Sequence, residues 1–342
     1  MSPESLLCDR KVELEEKTRR NERGTQSIKA TAFADYTAIV TRGKTEDELR
    51  TNIRAAINTV LSWAEMAEIK LNADKTEVIS AGQKEIAEVE IGERVIKTKP
   101  KLKYLGLWID RGLRWKDHLN SLCAKTDRLL LRIGQACWSN GTIRLKEKIR
   151  LYKQVFEPMI TYGYEIWFEE IRRKTTYVDR IIMLQRRVLR AITGAYKNVS
   201  TVKLFELTGV LPIETEMRIR SETRKIGRAE RAGRRHELRM RWKNGRESVF
   251  EFSPNFEINE IRNRESIWCM TETGPFRRFL KKIGKLDDDT CRLCGLSAET
   301  AQHLLYECGR IPDEIALTND YTTAKFETSC YKLIKYMKAI EL

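Results

Sequence analysis

The hydrophobic pattern of this 342-residue chain changes character near Trp115, and that change limits the folds open to it. Before it, apolar residues come in short runs broken by turn and charge signals. Residues 30–40 (ATAFADYTAIV) read as a hairpin turning at Ala34 and Asp35, and strand-like pieces are expected at 75–80, 89–91, 95–98 and 103–109. One helix is expected among them, over 45–68. Thr45 and Glu48 form a capping box, and Leu49, Ile53, Ala56, Ile57, Val60 and Ala64 recur at helical spacing. After Trp115 the pattern is helical. The spacing predicts helices over 115–137, with His118, Leu119, Leu122, Leu129, Leu130 and Ile133 on one face, and over 143–167, kinked at Pro158. A third is predicted over 177–193, with Val178, Ile181, Ile182, Leu184, Val188 and Leu189 inward and Gly194 as C-terminal cap. The expected class is α+β, a small β/α unit followed by a mainly helical region, and the length suits two or three domains.

Charge narrows the partners. With 64 Lys and Arg against 49 Asp and Glu, the formal net charge is +15, which favours a polyanion, nucleic acid ahead of a membrane surface. A solvated basic surface is the plain alternative. No apolar run approaches the roughly 18 residues needed to span a bilayer, and the first residues lack a signal-peptide stretch, so an intracellular chain is expected. The helix over 177–193 turns Arg180, Arg186, Arg187 and Arg190 outward, a face suited to a phosphate backbone or simply to water. The densest positive stretch is 218–246, where twelve Arg and Lys face three Glu. Arg224, Lys225, Arg228, Arg231, Arg234 and Arg235 there join Arg186, Arg187 and Arg190 as candidate nucleic-acid contacts. Trp242 and Trp268 could stack on bases or pack into helix junctions.

Eight cysteines in a reducing compartment read as buried thiols or metal ligands. Cys291, Cys294, His303 and Cys308, with two, eight and four residues between successive members, have the spacing of a structural zinc knuckle. Gly295 suits the tight turn that lets both first thiolates face inward. Chance spacing of free thiols beside a surface histidine is the competing explanation. Four protein ligands leave no open coordination position, so such a zinc would organise structure and not catalyse. A small polar knuckle of this kind suits single-stranded nucleic acid. Packing is the default for Cys8, Cys123, Cys137, Cys269 and Cys330. Residues 1–28 are charge-dense and carry no assigned chemistry.

Several motifs in order carry a specific resemblance. FADY precedes a helix, LSWAE and LNADKTEVI follow, then KYLGLWIDRGLRWKDHL, then Tyr162, Gly163 and Trp167 in a YG-x-x-x-W pattern. LQRRVLRAITGAYKNVSTVKLFELTGVLPIE and the closing Cys/His spacing continue the series. Over residues 30–310 the chain resembles the C-terminal half of a reverse transcriptase (RNA-directed DNA polymerase) of an insect-type non-LTR retrotransposon. The resemblance implies a partial palm at 29–112 after the arm at 1–28, a helical thumb-like region at 113–215, a basic linker at 216–285, the CCHC zinc knuckle at 286–312 and a tail at 313–342.

It also implies two-metal nucleotidyl transfer, with carboxylates holding two magnesium ions about 4 Å apart. Asp35 maps onto the first aspartate of the family hairpin and would be a catalytic magnesium ligand. Lys75 maps near the incoming nucleotide, as phosphate partner, proton donor or plain surface lysine. Tyr104, Leu105 and Gly106 match the strand supporting the primer end, or ordinary sheet packing. The departures concern activity. Tyr36 stands where the family has its second hairpin acid, and nothing in residues 1–29 resembles the upstream strand bearing the other aspartate. The fingers and endonuclease have no counterpart either. The expectation is a chain inactive as a polymerase alone. A competing expectation is a zinc-dependent RNA- and DNA-binding protein derived from such an element. A groove-reading transcription factor is disfavoured, because the ligand order is not a cysteine pair followed by a histidine pair. Nuclear residence, RNA and DNA as partners, and a full-length element polymerase acting in trans follow from the family.

Overall fold

The computed structural model describes residues 29–33, 36–81, 86–92, 94–138, 143–244, 257–318 and 320–340. The 1–28 arm, Asp35, and residues 245–256 of the basic linker lie outside them. The chain divides into two units, Met1–His118 and Leu119–Leu342.

In the first unit the expected hairpin forms from β1 (Lys29–Phe33) and β2 (Tyr36–Val40), antiparallel, with Phe33 opposite Tyr36. Helix α1 (Glu46–Met66) follows and starts as the sequence predicts: Glu48 N–H donates to Thr45 Oγ1 at 3.1 Å. The Glu48 carboxylate reaches back to Lys44 N–H at 2.7 Å, one residue earlier than the capping box requires. Its buried face carries Ala56, Ile57, Val60 and Ala64, and Ile57 packs with Ile86 and Val89 in a small core that includes Leu49, Ile53 and Val78. Val89 lies on β3 (Glu88–Ile91), paired antiparallel with β4 (Arg94–Lys97).

Two strand expectations need correction here. Residues 75–80 form no strand. The Asn72 side chain accepts the N–H groups of Asp74 and Lys75 at 3.0 and 3.3 Å, turning the chain into a 3-10 segment, and Val78 alone bridges to Thr98. Residues 103–109 form a hairpin of β5 (Lys101–Tyr104) and β6 (Leu107–Asp110) in place of one strand. Leu105 and Gly106 both take positive φ, 44° and 85°, as a two-residue hairpin turn requires. Asp110 then accepts Arg114 N–H at 3.0 Å and Trp115 N–H at 2.7 Å, and the Trp115 ring meets His118 edge-on. The D, W and H of the KYLG motif therefore build the turn into the next helix.

That helix, α2 (Lys116–Trp138), leads into the second unit, where α3 (Leu145–Leu151), α4 (Glu157–Thr161), α5 (Tyr164–Ile171) and α6 (Thr175–Thr193) form the core. The single kinked helix expected over 143–167 is instead three pieces. A wide π turn, Tyr152–Phe156, precedes Pro158, which has no N–H to continue the ladder. Tyr162 then ends α4 in extended backbone, Gly163 at φ 62° leads into α5, and the Trp167 indole donates to Tyr162 O at 3.0 Å. The YG-x-x-x-W motif is thus a helix-to-helix turn tied by its own tryptophan. Helix α6 matches expectation, ending at Gly194 with φ 68° and burying Ile181, Leu184, Val188, Leu189 and Ile192. Gln185 is buried with them and fully bonded, donating to Tyr152 Oη at 2.8 Å and Leu211 O at 2.7 Å while accepting Ile213 N–H at 2.8 Å.

Helices α7 (Thr201–Thr208), α8 (Ile213–Glu222) and α9 (Arg228–Asn244) follow, then α10 (Arg264–Thr271), α11 (Arg277–Lys282) and α12 (Thr323–Ala339). Helix α12 packs against α10, with Cys269 and Cys330 both buried there. The class is α+β, as expected. No helix among the described residues is long and apolar enough to cross a membrane.

Candidate metal centre and basic face

Cys291 and Cys294 sit on a tight turn closed by the bridge between Thr290 and Ala298. Cys291 N–H donates to Ser297 O at 2.7 Å, and Gly295, at φ 69°, donates to Cys291 O at 2.9 Å. A left-handed residue there lets the chain curl so that Leu296 N–H approaches Cys294 Sγ at 3.5 Å. That N–H, outweighing burial, pulls the Cys294 thiol down to about 6, whereas burial pushes Cys291 up to about 11.

His303 and Cys308 come from the far side of the knuckle. Thr300 Oγ1 accepts His303 N–H at 2.9 Å, and the Glu272 carboxylate accepts the N–H groups of Ala301 and Gln302 at 2.8 and 3.0 Å, so the short helical start is capped twice. A π turn over His303–Glu307 closes with Cys308 N–H donating to His303 O at 2.8 Å. In a regular α-helix residues five apart point about 140° away from each other. The wider turn brings both side chains to one point.

The donor atoms of Cys291, Cys294, His303 and Cys308 all lie within 4.8 Å of one another. Cys291 Sγ and Cys308 Sγ are 4.0 Å apart, and Cys294 Sγ and His303 Nε2 are 3.3 Å apart. Metal–sulfur bonds of 2.3 Å at a tetrahedral ion require ligand separations of about 3.8 Å, so the set fits one ion of that kind. His303 aims Nε2 at the sulfurs, and Glu307 lies 3.5 Å from its Nδ1, which makes no hydrogen bond among the described residues. Among the described residues this is the only cluster of three or more His, Cys, Asp and Glu that could hold a metal ion.

One residue absent from the sequence reading organises the site. Glu299 is fully buried and accepts Arg277 N–H at 3.0 Å, Arg292 N–H at 3.0 Å, and the Arg292 guanidinium at 2.9 and 2.8 Å. Arg292 lies between the first two ligands, so this carboxylate fixes their loop. The only sequence signal was an acid three residues before Gln302 in an otherwise polar run, too weak to single out.

The basic face is more engaged than its sequence suggests. Arg180 donates to Asn120 Oδ1 at 2.8 Å, Arg186 to the carbonyls of Lys197 and Val199, and Arg187 pairs with Asp127 at 2.6 Å. Arg224 pairs with Glu165 at 3.4 Å, and Arg231 holds the carbonyls of Arg224 and Ile226. Arg234 pairs with Glu237 at 2.7 Å, and Arg235 donates to Thr223 Oγ1 at 2.8 Å. Lys225 is exposed, and the Arg228 and Trp242 side chains lie outside the described residues. Trp268 is buried, its indole donating to Gly194 O at 2.8 Å and its ring against Tyr196, so it packs a helix junction. Lys75 is exposed at the end of the 3-10 segment Ala73–Lys75, and Tyr36, the first residue of β2, is 52% exposed.

The fold and site define a mainly helical α+β chain with a four-donor cysteine/histidine cluster near its C-terminal end. The comparisons with known proteins then specify its relatives: the chain is similar to RNA-directed DNA polymerases of insect non-LTR retrotransposons. It is 24% identical over 172 residues, 50% of its length, to the RNA-directed DNA polymerase from mobile element jockey of Drosophila melanogaster, covering 18% of that protein. It is 25% identical over 211 residues to the Pol polyprotein from type-1 retrotransposable element R1 4 of Nasonia vitripennis, covering 55% of the chain and 52% of the relative. The R1 Pol polyprotein of Bradysia coprophila aligns over 322 residues at 26% identity, 81% of this chain and 31% of the relative. The chain therefore spans between about a fifth and about a half of the curated relatives it matches. No family model and no solved structure matches it.

Proposed function

We propose that this chain is the C-terminal portion of a non-LTR reverse transcriptase, that it binds RNA and DNA, and that alone it does not join nucleotides. The motif order and the relatives support the first part. The basic balance and the knuckle support the second. Residues 29–112 then correspond to palm, 113–215 to thumb, 216–285 to a basic linker and 286–312 to the knuckle.

The observation that carries the third part is Tyr36. It closes the β1–β2 turn opposite Phe33, in the place of the family's second carboxylate. Carboxylates on such a hairpin would hold magnesium, which would supply activation of the primer hydroxyl and stabilisation of the leaving pyrophosphate. A phenol brings no formal charge to hold paired divalent cations together, so the hairpin sequence offers one carboxylate, Asp35, in place of two. The test is magnesium-dependent primer extension. We expect none above background, and extension that disappears in Asp35→Ala would overturn the reading.

Zinc is the metal that three thiolates and one imidazole suit, and four protein ligands make it structural. Cys291, Cys294, His303 and Cys308 would hold it, joining the 291–297 turn to the 300–308 helical segment. A complete donor set in a chain whose hairpin carries one acid favours a second reading, a zinc-dependent RNA/DNA-binding protein derived from a retrotransposon. Fluorescence anisotropy with labelled RNA and DNA, with and without a strong chelator, tests that reading: binding that survives chelation would overturn the zinc dependence. Residence in the nucleus and a full-length element polymerase in trans belong to the first reading and are tested by localisation and co-purification.

A further inference from the structure

Arg186, Arg187 and Arg190 are neighbours on α6, but their guanidinium groups have different fates. Arg186 is bound to two carbonyls of the following loop, at 2.8 Å for Lys197 and 2.5 Å for Val199. Arg187 is paired with Asp127 at 2.6 Å. Arg190, in the last turn, is half-buried, and its enclosed Nε has no acceptor among the described residues. The charges acting on it are those of Arg186 and Arg187, and both repel it. Burial and then these two cations hold its guanidinium below the ordinary arginine range.

The negative end of the helix dipole offsets part of that cost, since a cation belongs at a helix C-terminus. An enclosed Nε without an acceptor, beside two like charges, costs the folded chain stability, and an anion arriving at the guanidinium would offset that cost. A guanidinium is also the side chain whose planar fork matches two oxygens of one phosphate.

We propose that Arg190 is a phosphate-binding residue of this chain, its guanidinium taking the oxygens of one phosphodiester of a bound RNA or DNA strand, while Arg186 and Arg187 hold the fold. The assignment rests on the nucleic-acid-binding reading and deepens it: it distinguishes, among arginines alike in sequence, the one that is available from two that are engaged.

The experiment is anisotropy of the full chain with a short labelled single-stranded RNA over a salt series, paired with urea denaturation, for wild type, Arg190→Gln, Arg190→Lys and Arg186→Gln. Arg190→Gln should flatten the plot of log affinity against log salt by about 0.7, one phosphate's worth for a single strand, and weaken binding several-fold. Arg190→Lys should keep the slope. Arg190→Gln should be at least as stable as wild type, because it removes a charge the fold does not satisfy, whereas Arg186→Gln should lower the denaturation midpoint. Wild-type binding with an unchanged slope in Arg190→Gln overturns the assignment, as does loss of stability in Arg190→Gln comparable with that of Arg186→Gln. A wild-type chain that binds no RNA overturns the parent reading, and this assignment with it.

Discussion

Glu216 is buried and held by two arginines: Arg220 Nε donates at 2.8 Å, and Arg239 donates at 2.9 Å and 2.5 Å. Arg220 also pairs with Glu157. Burial alone would raise the Glu216 carboxyl, but the hydrogen bonds from Arg239 and Arg220 outweigh it and hold the group below the usual carboxylate range. Glu157 goes the other way, raised by burial and then by the charge of Glu216. A depressed folded pKa gives stability that is present above the unfolded value, about 4.3, and lost as pH falls through the folded one. Charged Glu157 costs stability at neutral pH, and that cost lifts as pH falls through its raised pKa. Glu216→Gln should therefore lose about 3 kcal/mol at neutral pH, leaving two arginines facing an uncharged amide. Against wild type the deficit should persist down to the unfolded carboxyl value, about 4.3, and close only at more acid pH, as the depressed folded value is passed. Glu157→Gln should cost much less. Urea denaturation at both pH values checks this, and a Glu216→Gln chain as stable as wild type at pH 7 would mean that the ion pairs do not anchor α9. None of this was legible from the sequence, where Glu216 is one acid in a charged stretch and Arg239 is 23 residues away.

At the scale of elements, regular spacing was easy to read and side-chain capture was not. Helix α6 showed in its apolar period and in Gly194, and α1 in Thr45 and Glu48, because each signal is local. The β5–β6 hairpin was hidden because its turn uses Leu105, a residue seldom found at positive φ. The strand at 75–80 was misread because Asn72 diverts two N–H groups that a strand would have used. The candidate metal site divides the same way. Its four donor residues were visible in their spacing, while the frame around them was not, since Glu299 binds Arg277, 22 residues away, as well as Arg292. That frame makes a prediction. Glu299→Gln should weaken zinc binding by about 10- to 100-fold, the usual effect of removing an outer partner that orients ligands. Competition with a chelating dye measures it, with the helical circular dichroism signal unchanged as the control. Unchanged affinity would show that the ligand loop holds its form without the carboxylate.

For the whole molecule, the excess of positive charge matters more than any one contact. Many arginines of the basic face are already paired or bound to carbonyls, so fewer phosphates should be neutralised than a count of basic residues suggests. The salt dependence of RNA binding should then correspond to a handful of phosphate contacts, about 0.7 of slope for each, and not to the full excess of +15. A slope near the full excess would mean that the internal pairs open on binding. This distinction was not legible before folding, because partners such as Asn120 and Asp127 lie 60 residues from the arginines they meet. The turn at Tyr162, Gly163 and Trp167 has a different consequence. Its tryptophan is buried and ties a carbonyl five residues back, so the motif serves the packing of the helix-to-helix turn whether or not any nucleotide is ever joined. A lineage that had given up synthesis would still retain it for as long as the protein had to fold, which makes that pattern a marker of ancestry and not of enzymatic competence.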